Sequence, residues 1–264
     1  MKYSSLQAIK FLIFDLDGVF YRGNSPIDGG AQMIEFLESN NIGYCFLTNN
    51  SYYPIEAYQK KLETCGVYVS LDRIITTTTL LSVYIKEKCY NDIFVLGCPY
   101  LKEKLYKSCN KSLCNPDALV IGMEDNMSLL DISNAINIIA PKTDIIAANP
   151  DKLIPKSDGF ALECGVIIDI VEDVSKKEVF VVGKPSRYAY DFILNTFNIS
   201  KEETLMVGDT YDTDIKGALN CGIKAAWVNT GNILPDSMTH TNFIRLDSLK
   251  CLVELLSNSM QNSK

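Results

Sequence analysis

Short apolar runs alternate with helix-like stretches along most of the chain. "KFLIFD" (10–15), "IGYCFLTN" (42–49), "VFVVGK" (179–184), "TLMVGD" (204–209) and "IKAAWVNTG" (223–231) are continuous in apolar residues rather than alternating. That pattern predicts strands buried on both faces, as in a parallel sheet. Each run ends in a polar residue or glycine at its carboxyl edge. "GGAQMIEFLESNN" (29–41) carries Met33, Ile34 and Leu37 on one helical face, and "PSRYAYDFILNTFN" (185–198) sets Tyr188, Phe192 and Phe197 near one stripe. Pro185 suits the first turn of that second helix.

The middle of the chain repeats the alternation on its own. "DIFVLG" (92–97), "DALVIGM" (117–123) and "TDIIAANPD" (143–151) are further strand candidates, separated by the helix-like "PYLKEKLYKSC" and "SLLDISNAINII". The pattern predicts an α/β fold: a parallel-sheet core formed by residues 1–79 and 179–264, with a second α/β unit inserted at 80–178. "TTTT" (76–79) reads equally well as a polar joint or a strand edge.

Length and composition suit this picture, since 264 residues can bury a sizeable core. A net charge of -7, with only four arginines, argues against a nucleic-acid surface. It leaves room for a small anionic substrate. Nine cysteines include no C-x-x-C pair and no histidine beside any close pair. They read as reduced thiols of a cytoplasmic protein. No apolar run approaches membrane-spanning length and no secretory leader is evident. The one histidine, His240, lies in a polar stretch, which disfavours Ser-His-Asp and Cys-His chemistry. Carboxylates and lysine are left to carry any reaction.

Those residues fall at strand ends, where open parallel sheets bind ligands. Asp15 and Asp17 follow the first run, Thr48-Asn49-Asn50-Ser51 the second, Lys184 the run at 179–183, and Asp209 with Asp214 the next. Singly, each has a structural reading: Asp17-Gly18 as a turn, Thr48 and the asparagines as a cap, Lys184 as a solvated strand end. "GDTYDTD" (208–214) has capping carboxylates but not EF-hand spacing. Together they make a candidate phosphate site.

The order D-x-D-G, strand-terminal Thr, Lys, then G-D-x-x-x-x-D resembles the haloacid dehalogenase superfamily of phosphohydrolases. "DLDGVFYRG", "FLTNNS", "AANPD", "VGKPS" and "VGDTYDTDI" resemble its NagD-like and 4-nitrophenylphosphatase-like subfamily. The resemblance implies a Rossmann-like three-layer core with a large inserted α/β cap, and a phosphomonoesterase working through an aspartyl-phosphate. It implies Asp15 as nucleophile and Asp17 as general acid and base. Mg2+ would be held by Asp15, Asp209 and the backbone carbonyl of Asp17, with Asp214 in support. The Thr48 hydroxyl and Asn49 amide would hold phosphoryl oxygens, with Asn50 and Ser51 nearby and Lys184 balancing charge. A small phosphorylated metabolite is the implied substrate, and a homodimer through the cap is implied as well. The chain departs from the subfamily in "GGA" at 29–31, where "PGA" is common, and in a reduced "KSDGFALECG" (156–165). A mutase using the same aspartyl-phosphate and a non-catalytic phosphometabolite-binding protein are the alternatives. The size of the inserted unit counts against the first, and the full set of acids against the second.

Overall fold

The computed structural model describes residues 6–156, 159–232 and 242–261; His240 lies outside them. The chain divides into two compact units. One comprises Met1–Thr48, Ile55–Ile75 and Arg187–Lys264, and the other comprises Asn49–Pro54 and Thr76–Ser186.

The first unit begins with β1 (Phe11–Phe14), the short ribbon β2 (Tyr21–Arg22) and β3 (Ser25–Pro26), then α1 (Gly30–Ser39), β4 (Gly43–Thr48), α2 (Ile55–Thr64) and β5 (Ile74–Thr76), whose last residue falls to the second unit. The second carries α3 (Thr77–Glu87), β6 (Asp92–Leu96), α4 (Pro99–Leu105), β7 (Asn110–Lys111), β8 (Ala118–Ile121), α5 (Leu129–Asn137) and β9 (Asp144–Ala147). It continues through the hairpin β10 (Leu153–Lys156) and β11 (Gly159–Leu162), α6 (Cys164–Ser175) and β12 (Phe180–Val181). The chain then returns to the first unit with α7 (Arg187–Thr196), β13 (Thr204–Gly208), α8 (Lys216–Asn220), β14 (Lys224–Val228), β15 (Ile244–Leu246) and α9 (Leu249–Gln261).

In the first unit the strand order is β15-β14-β13-β1-β4-β5. β1 runs parallel to both β13 and β4, and all four of its side chains are buried. That explains why no polar residue interrupts "FLIF". Met33 and Leu37 of α1 are fully buried, on the face the spacing predicts. Phe14, Phe20 and Phe46 meet edge-on or tilted at 5.1–6.1 Å between ring centres. Each such fully buried ring or leucine stabilises the fold by roughly 1.5–3 kcal/mol.

The second unit has its own sheet, in the order β12-β9-β8-β6-β7, with every pairing parallel. Ile132 and Ala135 of α5 and Ile167 and Val171 of α6 bury against it. α5 is opened by a reciprocal cap between Ser128 and Asp131.

Three expectations need correction. The strand over 179–184 shortens to β12 and pairs with β9 in the second sheet rather than joining the first. The buried face of α7 is Ala189, Tyr190 and Ile193, not the stripe of Tyr188, Phe192 and Phe197; Tyr190 goes inward because its hydroxyl finds acceptors there. Pro185 precedes α7 by two residues, joined to Lys184 by a cis peptide. "TTTT" resolves in two directions: Thr76 closes β5 and caps α3 by accepting from the Thr79 N–H. No helix among the described residues is long and apolar enough to cross a membrane.

Candidate active site

Strand register brings the first acids together. Phe14 stands opposite Val207 on one side and Phe46 on the other. Asp15 therefore leaves the sheet level with Gly208-Asp209 and beside the end of β4, where Thr48 sits buried. The Asp15 N–H donates to the Val207 carbonyl at 2.9 Å, carrying the ladder one residue past the strand. Leu16, between the two acids, is fully buried.

Carboxylate oxygens of Asp15, Asp209 and Asp214 lie within 4.8 Å of one another. Asp209 and Asp214 are buried, at 4% and 0% exposure. Three carboxylates so close, two of them out of water, are tolerated when a cation lies among them. An all-oxygen set of this kind suits a hard divalent ion such as magnesium. The cluster includes Asp214, which the sequence reading set in a supporting role. The Asp17 carboxylate turns instead toward Lys61, whose ammonium is 3.9 Å away.

The surroundings leave these acids little freedom. Asp209 accepts hydrogen bonds on Oδ2 from the Asn232 backbone N–H and from its side-chain amide, both at 3.0 Å. The Trp227 indole N–H donates to the Asp209 carbonyl at 2.9 Å. Asp214 lies in a π-helical turn, Tyr211–Ile215, a local widening often found at functional positions. Its Oδ2 accepts from the Thr210 N–H at 3.0 Å. The buried Tyr190 hydroxyl donates to the carbonyls of Thr213 at 2.9 Å and Asp214 at 3.2 Å. Burial first, then the nearby Asp214 charge, pushes the phenol pKa well above its ordinary value, so it remains a donor.

Glycines make room for the acids. A Cβ on Gly18 would lie 2.2 Å from Asp209 Oδ2, and one on Gly208 would lie 2.3 Å from Asp214 Oδ2. Gly18 also has φ +80°, a region costly for other residues. The Thr230 hydroxyl donates to the Gly18 carbonyl at 2.5 Å.

Asp17 differs electrostatically from the cluster. Partial desolvation raises its carboxyl above the ordinary range, opposed by the Lys61 charge and reinforced by Asp15. Its side chain is two-thirds exposed by surface area (67%), so that desolvation is incomplete. The Lys61 ammonium also lies 3.8 Å above the Tyr21 ring centre.

The remaining candidates belong to the second unit. Asn49, Asn50 and Ser51 follow Thr48 directly and lie with the carboxyl-end loops of the second sheet. The Asn49 side chain donates to the Lys184 carbonyl and to Asp151 Oδ2, both at 2.9 Å. Asn50 Oδ1 accepts from the Tyr52 N–H at 2.8 Å, closing a turn. Lys184 is 2% exposed, not the solvated strand end that one of its readings allowed.

Sequence spacing missed Lys61, Asn232 and Tyr190. Lys61 falls three residues after the buried Tyr58 on α2, a weak helical cue. Nothing in the spacing marks Asn232 or Tyr190.

Comparison with known proteins agrees with this architecture. The family model described as haloacid dehalogenase-like hydrolase matches residues 12–108, and a second HAD-hydrolase-like model matches residues 181–250. An acid sugar phosphatase of Staphylococcus epidermidis is 32% identical over 223 residues, covering 83% of this chain and 86% of its own length. The crystal structure of 4-nitrophenylphosphatase from Thermotoga maritima superposes with a TM-score of 0.87 at 28% identity, covering 95% of this chain and 98% of its own. NagD from E. coli K-12 gives 0.83 at 26% identity, covering 91% and 97%. With its acids gathered at the carboxyl edge of β1 and β13, the chain belongs to the haloacid dehalogenase-like hydrolases, in their NagD-like phosphatase branch.

Proposed function

We propose that the protein is a magnesium-dependent phosphomonoesterase that hydrolyses small phosphorylated metabolites, sugar phosphates among them, through an aspartyl-phosphate. The observation that carries this reading is the convergence of Asp15, Asp209 and Asp214 within 4.8 Å, with Asp17 two residues along the same segment. The likeness to an acid sugar phosphatase supports the substrate class.

In this mechanism Asp15 attacks phosphorus. A bond forms between its carboxylate oxygen and phosphorus as the ester P–O bond breaks, and Asp17 gives its proton to the departing oxygen. The raised carboxyl pKa of Asp17 favours that proton-bearing form. Asp17, now a carboxylate, takes a proton from water as the water oxygen attacks the phosphoaspartate, releasing phosphate and restoring Asp15. Asp15, Asp209 and the Asp17 carbonyl would hold magnesium with Asp214 beside them, and when bound it supplies positive charge to the cluster and the phosphoryl oxygens. The Thr48 hydroxyl and Asn49 N–H hold phosphoryl oxygens, with Asn50 and Ser51 nearby. Lys184 balances the charge, a role its burial supports, because an ammonium out of water requires anionic company. All nine cysteines are free thiols, which supports a reducing, cytoplasmic setting.

The test is hydrolysis of 4-nitrophenyl phosphate and a panel of sugar phosphates with magnesium. Wild type turns them over and yields an acid-stable phosphoprotein on rapid quenching, whereas Asp15→Asn does neither. Undiminished turnover in Asp15→Asn overturns the assignment.

A further inference from the structure

The "AANPD" stretch has no part in the chemistry above, yet its asparagine meets the segment assigned to phosphate. Asn149 follows β9 and is 2% exposed. Its Nδ2 donates to the Asn49 carbonyl at 2.9 Å, while its Oδ1 accepts from the Asp151 N–H at 3.0 Å. The backbone donor fixes which end of the amide faces Asn49. The same Asn49 carbonyl accepts from the hydroxyl of Thr77, fully buried at the start of α3, also at 2.9 Å. Both lone pairs of one carbonyl are thereby engaged by buried side chains from separate elements.

Asn49 passes that constraint on through its own amide, donating to Asp151 and to the Lys184 carbonyl. This orientation leaves its Oδ1 buried without a hydrogen-bond partner, a costly arrangement that a purely structural asparagine would avoid. The packing leaves no slack either. A Cβ on Gly183 would stand 2.4 Å from the Ala148 carbonyl and 2.7 Å from Asn49 Oδ1.

We propose that Asn149 and Thr77 are positioning residues for phosphate recognition, acting together through the Asn49 carbonyl to fix the 49–51 segment and the Lys184 backbone. Neither side chain touches substrate in this account. The inference rests on the phosphatase reading, because it presumes that Asn49 and Lys184 face a phosphoryl group.

The experiment compares wild type, Asn149→Ala, Thr77→Val and Thr77→Ser. It reads kcat and KM for 4-nitrophenyl phosphate, the Ki of inorganic phosphate, and the thermal midpoint. Losing one of two donors to a buried carbonyl raises the phosphate Ki and lowers kcat/KM about five- to tenfold in Asn149→Ala and Thr77→Val. Thr77→Ser, which keeps the hydroxyl, restores the wild-type Ki. A role confined to folding would lower the midpoint without moving Ki or separating serine from valine. Should Asn149→Ala fail to fold, the valine–serine pair decides alone. Wild-type turnover with every variant within twofold in Ki overturns this inference and leaves the phosphatase reading standing. A wild type that neither hydrolyses phosphomonoesters nor binds phosphate overturns both.

Discussion

Replacing Gly18 with alanine adds one methyl group at a crowded point beside the acids. Two costs follow. The first is conformational: at φ +80° an L side chain meets the backbone, at about 1–2 kcal/mol. The second is steric. The new Cβ would stand 2.2 Å from Asp209 Oδ2 where ordinary contact begins near 3.4 Å, so the carboxylate must withdraw by about 1.2 Å. Asp209 cannot withdraw freely, because Asn232 holds Oδ2 through two hydrogen bonds of 3.0 Å. A displacement near 1 Å in a reacting assembly costs about a hundredfold in rate. Gly18→Ala therefore unfolds at slightly lower urea but loses about a hundredfold in kcat/KM and needs more magnesium for half-maximal activity. Gly23 is the control: its φ is +57° but nothing lies within 4 Å of its would-be Cβ. Gly23→Ala shows a similar stability loss without the loss of turnover. Urea melts, magnesium titration and 4-nitrophenyl phosphate turnover on both variants make the comparison. Turnover of Gly18→Ala within threefold of wild type would refute the reasoning.

Other outcomes are equally checkable. Tyr190→Phe removes the donor to the Thr213 and Asp214 carbonyls; equilibrium unfolding shows a loss of about 1–3 kcal/mol, and no measurable loss contradicts it. Leu37→Ala opens a hole in the first unit, where Leu37 is fully buried, and costs about 2–5 kcal/mol by the same assay. EDTA abolishes phosphatase activity and added magnesium restores it; activity that survives chelation argues against the carboxylate cluster as a cation site. The N–H groups of Asp92 and Asn91 hold the Asp117 carboxyl below its ordinary value near 3.8. A depressed folded pKa gives stability that is present above that value and lost as pH falls through the lower folded one. Urea midpoints of wild type and Asp117→Asn, compared from pH 6 to pH 2, therefore draw together only in the acid part of the range.

Sequence pattern revealed strands whose whole length is apolar, and acids that follow them directly. β1 and β13 are of this kind, and strand register then brings Asp15 level with Gly208-Asp209 without further information. Pattern failed where the signal is short or the decisive contact is distant. β5 has three residues and β15 three, below the length at which periodicity distinguishes a strand. β12 is apolar on either sheet, so composition alone could not show that it pairs with β9. Tyr190 looks like any aromatic at a helical position until its hydroxyl is seen reaching across to 213–214. The tie between Asn49 and Asn149 spans 100 positions and has no local signature, because a buried amide and an exposed one are the same letter.

The placement of β1 has a consequence for how the chain is made. It is complete about 190 residues before its partner β13, an interval on the order of 10–40 s at ~5–20 residues per second. During that time "FLIF" has β4 on one side and nothing from its own chain on the other. The second unit, almost continuous in sequence from Thr76 to Ser186, emerges whole within the same interval. The ribosome therefore releases a finished insert ahead of an unfinished core. The open edge of β1 and the face of α1 that α9 covers both wait for residues beyond Ser186.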